Sequence, residues 1–337
     1  MALDTPMHPP PMIDAIGRSI SYLRLSVTDR CDLRCAYCME ERPKFMPRSE
    51  LLNPEEIDLL TRAFVDRGVT KIRLTGGEPL VRKDFPEIVE RLGRQIREDR
   101  LKELTLTTNG TQLVEHASHL VKCGIKRINV SIDSLIPEKY AQITRNGTLE
   151  KALEGLSTAK AAGLFCKLNI VLLRDQNADE IPDIISWAHE HGHEVTLIEV
   201  MSTGDTGIDR RSQFLPMSVM RETLEDRWNL TAITKNTGGP ARYWHIAETG
   251  GVLGMITPLT ENFCAGCNRV RVTATGRLVL CLGQEDGTDL RSALREGRNI
   301  HHLIDSALLQ KPERHGFNEA FREGRSAVSR PMSATGG

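Results

Sequence analysis

Three cysteines crowd one short run, Cys31-Asp-Leu-Arg-Cys35-Ala-Tyr-Cys38, directly after a strand-like apolar stretch at 22–27. Three thiolates on one loop can hold three corners of a cubane iron–sulfur cluster, for which cysteine is the usual ligand. The fourth iron is then left without a protein ligand and open to a small molecule. A zinc knuckle competes with this reading, but structural zinc takes four ligands, and no histidine or fourth cysteine lies nearby. A second trio stands downstream, Cys264-Ala-Gly-Cys267 followed by Cys281, with no histidine between His245 and His301. There a second cluster with one open iron is the stronger reading, and zinc completed by a distant ligand stays open. Cys123 and Cys166 have no partner spacing and read as small buried residues.

Apolar or β-branched runs at 22–27, 71–75, 104–108, 127–132, 166–172 and 194–201 must position these loops. Helical patterns at 54–67, 84–97, 112–122 and 149–162 separate most of them. Such alternation signals right-handed βαβ units and a parallel sheet, either a barrel stopping short of eight units or an open doubly wound sheet. Strand side chains alternate between faces. One face carries Leu23, Leu25, Ile72, Leu74, Leu104, Leu106, Ile128 and Val130; the other carries Arg24, Arg73, Thr105, Thr107, Asn129, Ser131 and Lys167. A closed barrel fills its interior with branched apolar side chains. A persistently polar face instead predicts a partly open barrel with a polar, ligand-filled lumen. Arg269 and Arg271 share one face of a short strand beyond the second trio. With Arg24, Arg73 and Lys167 they point to a highly anionic ligand such as a triphosphate. Gly76-Gly-Glu-Pro79 follows the second strand, where parallel folds place ligand loops, and Glu78 offers an acceptor to a ligand ammonium.

The 337 residues carry a net charge of −1, with 39% hydrophobic residues. That balance argues against a broad nucleic-acid or membrane surface. No run approaches the length of a membrane span, and the proline-rich start is no secretory signal. Residues 1–18 read as a disordered leader, 19–208 as the partial barrel and 209–337 as a smaller α+β domain with the second trio and a Gly-Gly tail. The expected compartment is the cytoplasm, where clustered thiols stay reduced.

Cys31-x3-Cys35-x2-Cys38, with Tyr37 before the last cysteine and the Gly-Gly-Glu-Pro loop, resembles the radical S-adenosylmethionine superfamily. Tyr22-Leu-Arg-Leu-Ser, Arg73-Leu-Thr-Gly-Gly-Glu-Pro-Leu, Thr107-Thr-Asn-Gly, Asn129-Val-Ser-Ile-Asp-Ser and Phe263-Cys-Ala-Gly-Cys-Asn-Arg-Val-Arg narrow the likeness. With the Gly-Gly end they resemble the GTP 3′,8-cyclases of molybdenum cofactor biosynthesis, from about residue 18 onward. The resemblance implies an incomplete (β/α)6 TIM-like barrel, two [4Fe-4S] clusters and S-adenosylmethionine as cofactors. It implies GTP as substrate, a 5′-deoxyadenosyl radical that removes the 3′ hydrogen, and ring closure onto C8 of guanine.

Residue by residue, it implies Cys31, Cys35 and Cys38 as ligands of the first cluster and Cys264, Cys267 and Cys281 of the second. Tyr37, Gly77, Ser131 and Met201 would contact S-adenosylmethionine; Arg24, Arg73, Thr107, Lys167, Arg269, Val270 and Arg271 would contact GTP. Arg24, Arg73, Arg269, Arg271 and the Gly336-Gly337 tail would serve the reaction directly. The implied partners are cyclic pyranopterin monophosphate synthase as the next enzyme, a separate electron donor and a second copy of the chain. Thr196-Leu197 stand where the family pattern has Arg-Phe, which removes one basic contact. A different radical enzyme with an auxiliary cluster, such as a peptide-modifying one, is the runner-up, though it would not need so basic a lumen. A non-catalytic iron–sulfur protein would have no use for open irons facing a polar cavity.

Overall fold

Strand and helix alternate through the first part of the chain because helix start and stop signals recur between the apolar runs. The computed structural model describes residues 11–207 and 209–336. In order come β1 (Tyr22–Ser26), α1 (Pro54–Val65), β2 (Lys71–Thr75), α2 (Phe85–Arg97), β3 (Glu103–Thr108) and α3 (Leu113–Lys122). They continue through β4 (Arg127–Ser131), α4 (Pro137–Thr144), α5 (Leu149–Ala161), β5 (Phe165–Leu172), α6 (Ile181–Glu190) and β6 (Glu194–Glu199). Asn53 opens α1 with a reciprocal cap, accepting from the Glu56 N–H while its own N–H donates to the Glu56 carboxylate. Gly68, Gly124 and Gly163 take left-handed φ values of 97°, 87° and 94° just beyond α1, α3 and α5, turning the chain toward the next strand.

Strands β1 to β6 pair in parallel with their neighbours. The register sets Arg24 beside Arg73, Arg73 beside Thr105 and Asn129 beside Lys167, so the polar residues of successive strands form lateral rows. Leu23, Leu25, Ile72, Leu74, Leu106, Ile128, Val130 and Leu168 face the other way into one hydrophobic core with the helices.

The later part of the chain does not stand apart from this sheet. After α7 (Met217–Glu225), strands β7 (Leu230–Ile233), β8 (Arg242–Ile246) and β9 (Gly251–Ile256) form an antiparallel meander whose β9 joins the β6 edge. Strand β10 (Arg269–Val272) joins the β1 edge and places Arg271 beside Arg24; β11 (Arg277–Val279) and β12 (Thr288–Asp289) follow. The result is one 12-stranded sheet, ordered β12-β11-β10-β1-β2-β3-β4-β5-β6-β9-β8-β7. Helices α8 (Arg291–Arg295), α9 (Ile300–Leu308), α10 (Phe317–Arg322) and α11 (Met332–Thr335) complete the chain. Among the described residues no helix is long and apolar enough to cross a membrane.

Residues 12–18, expected within a disordered leader over 1–18, are held in place instead. Met12 is fully buried, Ile13 bridges to Ser19, and Asp14 forms a buried ion pair with Arg18. The Met12 N–H donates to the Arg67 carbonyl and Arg18 to the carbonyls of Cys264, Pro312 and Glu313, so the contacts that fix this segment come from far along the chain. Residues 1–10, the rest of that leader, lie outside the described residues.

Glu199, fully buried at the end of β6, knits the two parts together. Its carboxylate accepts from the N–H groups of Met217 (3.0 Å), Leu259 (3.0 Å) and Thr260 (3.2 Å) and from the Thr260 hydroxyl (2.6 Å). Glu199→Leu strands these donors and should lower unfolding free energy by about 3 kcal/mol in denaturant titration. A loss under about 0.5 kcal/mol would contradict the role assigned to this carboxylate.

Candidate functional site

The loop after β1 carries Cys31, Cys35 and Cys38 and is fastened from two sides. The Arg34 and Ala36 N–H groups donate to Thr144 and Ile143 carbonyls at 3.0 and 2.9 Å, tying it to the end of α4. Gly77 and Glu78 N–H groups donate to Thr28 and Arg30 carbonyls, each at 2.8 Å. A Cβ on Gly77 would stand 2.2 Å from the Arg30 carbonyl oxygen, so only glycine allows this approach. Glu78 accepts from the Leu80 N–H, the Thr108 hydroxyl and the Asn109 N–H. Its oxygens thus tie the loops around them, and the side chain also lines the cavity onto which the thiols open. Burial pushes its pKa up to about 8.

The three thiols open on a cavity of about 980 Å³ that Tyr37, Gly77, Ser131 and Met201 also line. The structure therefore gathers the residues expected around S-adenosylmethionine. Thr107, expected with the GTP set, lines this first cavity too, and its hydroxyl has no hydrogen-bond partner. Asp133, within the Asn129-Val-Ser-Ile-Asp-Ser run but given no role from sequence, receives the Tyr37 hydroxyl at 2.7 Å and the Val171 N–H at 2.7 Å, locking the ring in the wall. Burial pushes Cys38 up to about 11 and holds Cys31 and Cys35 well above the ordinary thiol range, with neighbouring negative groups raising all three. Such thiols ionise when a metal's positive charge is brought to them.

A second cavity adjoins the first, and Asn169, Ile198 and Met201 line both. Arg24, Arg73, Lys167, Arg269 and Arg271 reach it from β1, β2, β5 and β10, together with Cys264, Cys267 and Cys281. For side chains from such distant strands to share one space, the sheet must curl around it. Among the described residues its wall holds these five basic groups and no carboxylate. Val270 departs from expectation: it lies between the two arginines, buried with the core, so only its backbone is available to a ligand. Thr196, on the adjoining strand, leaves a short buried hydroxyl with no hydrogen-bond partner where a base would have been.

The chamber's electrostatics follow from burial of like charges. Burial, then Arg73, Arg127 and Lys71, lowers the Lys167 pKa to about 7. Tyr22 goes the other way for an acid: burial raises it, but Arg73, Arg24, Lys71 and Arg269 outweigh that and bring it down to about 8. Burial raises Cys264 and Cys281, whereas at Cys267 the charges of Lys311, Arg269 and Arg18 overcome burial and hold the thiol below its ordinary range.

Other contributors were invisible to sequence reasoning because they arrive from far along the chain. Lys311 donates to the carbonyls of Arg269 (3.1 Å) and Leu280 (2.6 Å), bracing the strands beside Cys267 and Cys281. Arg18 donates to the carbonyls of Cys264, Pro312 and Glu313. His315 also lines the chamber. The tail is docked rather than loose: Gly204 N–H donates to Val328, the Ala327 N–H donates to Ser202, and Arg271 donates to the Gly336 carbonyl at 2.7 Å. Gly336 has a φ of 75°, and a Cβ there would collide with the Thr75 side chain, so the tail ends against β2. Gly337, expected in the same role, lies outside the described residues.

Among the described residues, no three His, Cys, Asp or Glu side chains are grouped to hold a single metal ion. Each trio of free thiols instead stands around a cavity wall, a donor set that fits a multi-iron body larger than one ion.

The family model described as Radical SAM superfamily matches residues 25–188, and that described as Molybdenum Cofactor Synthesis C matches residues 193–317. The GTP 3′,8-cyclase of Mesorhizobium japonicum is 54% identical, over 97% of this chain and 99% of its own. That of Erythrobacter litoralis is 55% identical, over 97% and 98%. In fold, Streptococcus suis SuiB bound to S-adenosylmethionine gives a TM-score of 0.58 at 15% identity, covering 94% of this chain and 77% of that one. Identity above one half along nearly the whole length, on a fold that turns both cysteine trios toward adjoining cavities, places this chain in the GTP 3′,8-cyclase family of radical S-adenosylmethionine enzymes.

Proposed function

We propose that the two cavities divide one reaction, S-adenosylmethionine lying against Cys31, Cys35 and Cys38 and GTP against Cys264, Cys267 and Cys281. The reaction is cyclisation of GTP to (8S)-3′,8-cyclo-7,8-dihydroguanosine 5′-triphosphate, the first step of molybdenum cofactor biosynthesis. The observation that carries the division is the shared wall of Asn169, Ile198 and Met201, which leaves the cavities adjacent. When bound, two [4Fe-4S] clusters and S-adenosylmethionine supply one-electron chemistry and hydrogen-atom abstraction. Arg24, Arg73, Lys167, Arg269 and Arg271 bind and orient the triphosphate. Tyr37, held by Asp133, and the Gly77 backbone shape the seat of S-adenosylmethionine. Gly336, held by Arg271, helps close the interior against water.

We read β1 to β6 as an incomplete (β/α)6 TIM-like barrel over residues 19–208, with 209–337 as a capping α+β part. Their parallel order, with β9 and β10 taking the two open edges, supports this. Eight free cysteines favour the cytoplasm. Family likeness alone supports transfer of the product to cyclic pyranopterin monophosphate synthase, a separate electron donor and pairing of two copies.

Anaerobically reconstituted protein should carry about eight irons and eight sulfides per chain. With GTP, S-adenosylmethionine and a reductant it should form 5′-deoxyadenosine and the cyclised nucleotide together. Four irons with one zinc would overturn the second-site assignment, and absence of 5′-deoxyadenosine would overturn the division of labour. Arg269→Ala or Arg271→Ala should raise the KM for GTP at least ~10-fold by removing charge-assisted bonds, with S-adenosylmethionine affinity changed under ~2-fold. Equal loss of both would contradict the assignment.

The lowered Lys167 pKa gives a pH test. In the empty chamber Lys167 loses its proton above about 7, whereas a bound polyanion restores it toward the ordinary 10.5. GTP binding should then take up protons between those limits, and affinity should fall as pH rises through them. Tyr22 acts with the same sign, because a bound anion favours its neutral phenol. Calorimetry in buffers of different ionisation enthalpy should show this uptake, reduced in Lys167→Met; proton release would contradict it.

A further inference from the structure

The basic groups occupy only part of the second cavity. Beside the cysteine trio its wall is formed by Phe263, His315, Phe317, Leu280 and Leu282, an aromatic and apolar end suited to a flat base. The His315 ring packs between the two phenylalanines, with centroids 6.1 Å from Phe263 and 5.1 Å from Phe317. Among the described histidines it is the one with both ring nitrogens buried and without a hydrogen-bond partner. Buried polar atoms of side chains are ordinarily matched, so a doubly unmatched imidazole in a ligand cavity calls for a ligand. Neither phenylalanine nor leucine can satisfy it. His315 shares this wall with Cys264, Cys267 and Cys281.

We infer that His315 hydrogen-bonds the guanine of GTP and is a specificity-determining residue of this site. The inference rests on the reading of the second cavity as the GTP seat. Guanine presents oxygen at C6 where adenine presents an amino group, so a fixed donor there separates the two bases. A site built to bond a substrate group rejects an analogue that lacks it, because the protein's own polar atom is then left unmatched. Apolar packing alone would hold both purines about equally.

The test uses anaerobically reconstituted holoprotein and equilibrium binding of GTP, ATP and S-adenosylmethionine. His315→Phe keeps the ring packing and removes both nitrogens; His315→Gln returns a donor and an acceptor. His315→Phe should weaken GTP at least ~10-fold and ATP under ~2-fold, narrowing the preference for GTP, with iron content and S-adenosylmethionine affinity unchanged. His315→Gln should recover part of the preference. An unchanged GTP-to-ATP ratio in both variants, with full iron content, would overturn the inference alone. Failure of the unaltered holoprotein to prefer GTP would overturn the seat itself, and this inference with it.

Discussion

Crowding of five basic side chains, Arg24, Arg73 and Lys167 buried and Arg269 and Arg271 half-buried, in a chamber whose wall among the described residues offers no carboxylate is the constraint on which the site depends. Like charges held in low dielectric repel and lose hydration, so this arrangement costs stability unless an anion enters. The lowered pKa values of Lys167 and Tyr22 are two signs of that tension, one a cation shedding charge and the other an acid driven toward its anion. A polyanionic substrate relieves both. The apolar face of the same strands supplies the compensating stability, since Leu23, Ile72, Leu106 and Ile128 are fully or almost fully buried against the helices.

One register serves both faces. Because strand side chains alternate, the pairing that sets Arg24 between Arg73 and Arg271 also sets Leu23 and Leu25 into the core. Slipping any of these strands by one residue would send arginine into the core and leucine into the chamber. The basic chamber and the hydrophobic core therefore specify each other. Glu199 and Lys311 then act at the junctions, each satisfying several backbone groups where strands from distant parts of the chain meet.

What was legible in the sequence is what is encoded locally. The cysteine trios, the Gly-Gly-Glu-Pro loop and the polar alternation of Arg24, Arg73, Thr107, Ser131 and Lys167 each lie within single loops or strands, and the structure brings all of these into the two cavities. Long-range closure was not legible. Arg18 reaches the Cys264 carbonyl across 246 residues, Lys311 the Arg269 carbonyl across 42, and Arg271 the Gly336 carbonyl across 65. Nothing in spacing announces such contacts, which is why the segment around Met12 read as part of a leader and why His315 went unnoticed. The face of Thr107 was legible, but not its height along the strand, which puts it in the wall beside the first trio.

The proposed arrangement sets two iron centres, each held by three thiols, against adjoining parts of one interior. Iron anomalous diffraction from anaerobically grown crystals of the reconstituted protein tests it most directly. Two separate iron clusters are expected, one against Cys31, Cys35 and Cys38 and one against Cys264, Cys267 and Cys281, with open space between them past Met201. A single iron centre, or two centres separated by packed side chains, would contradict it.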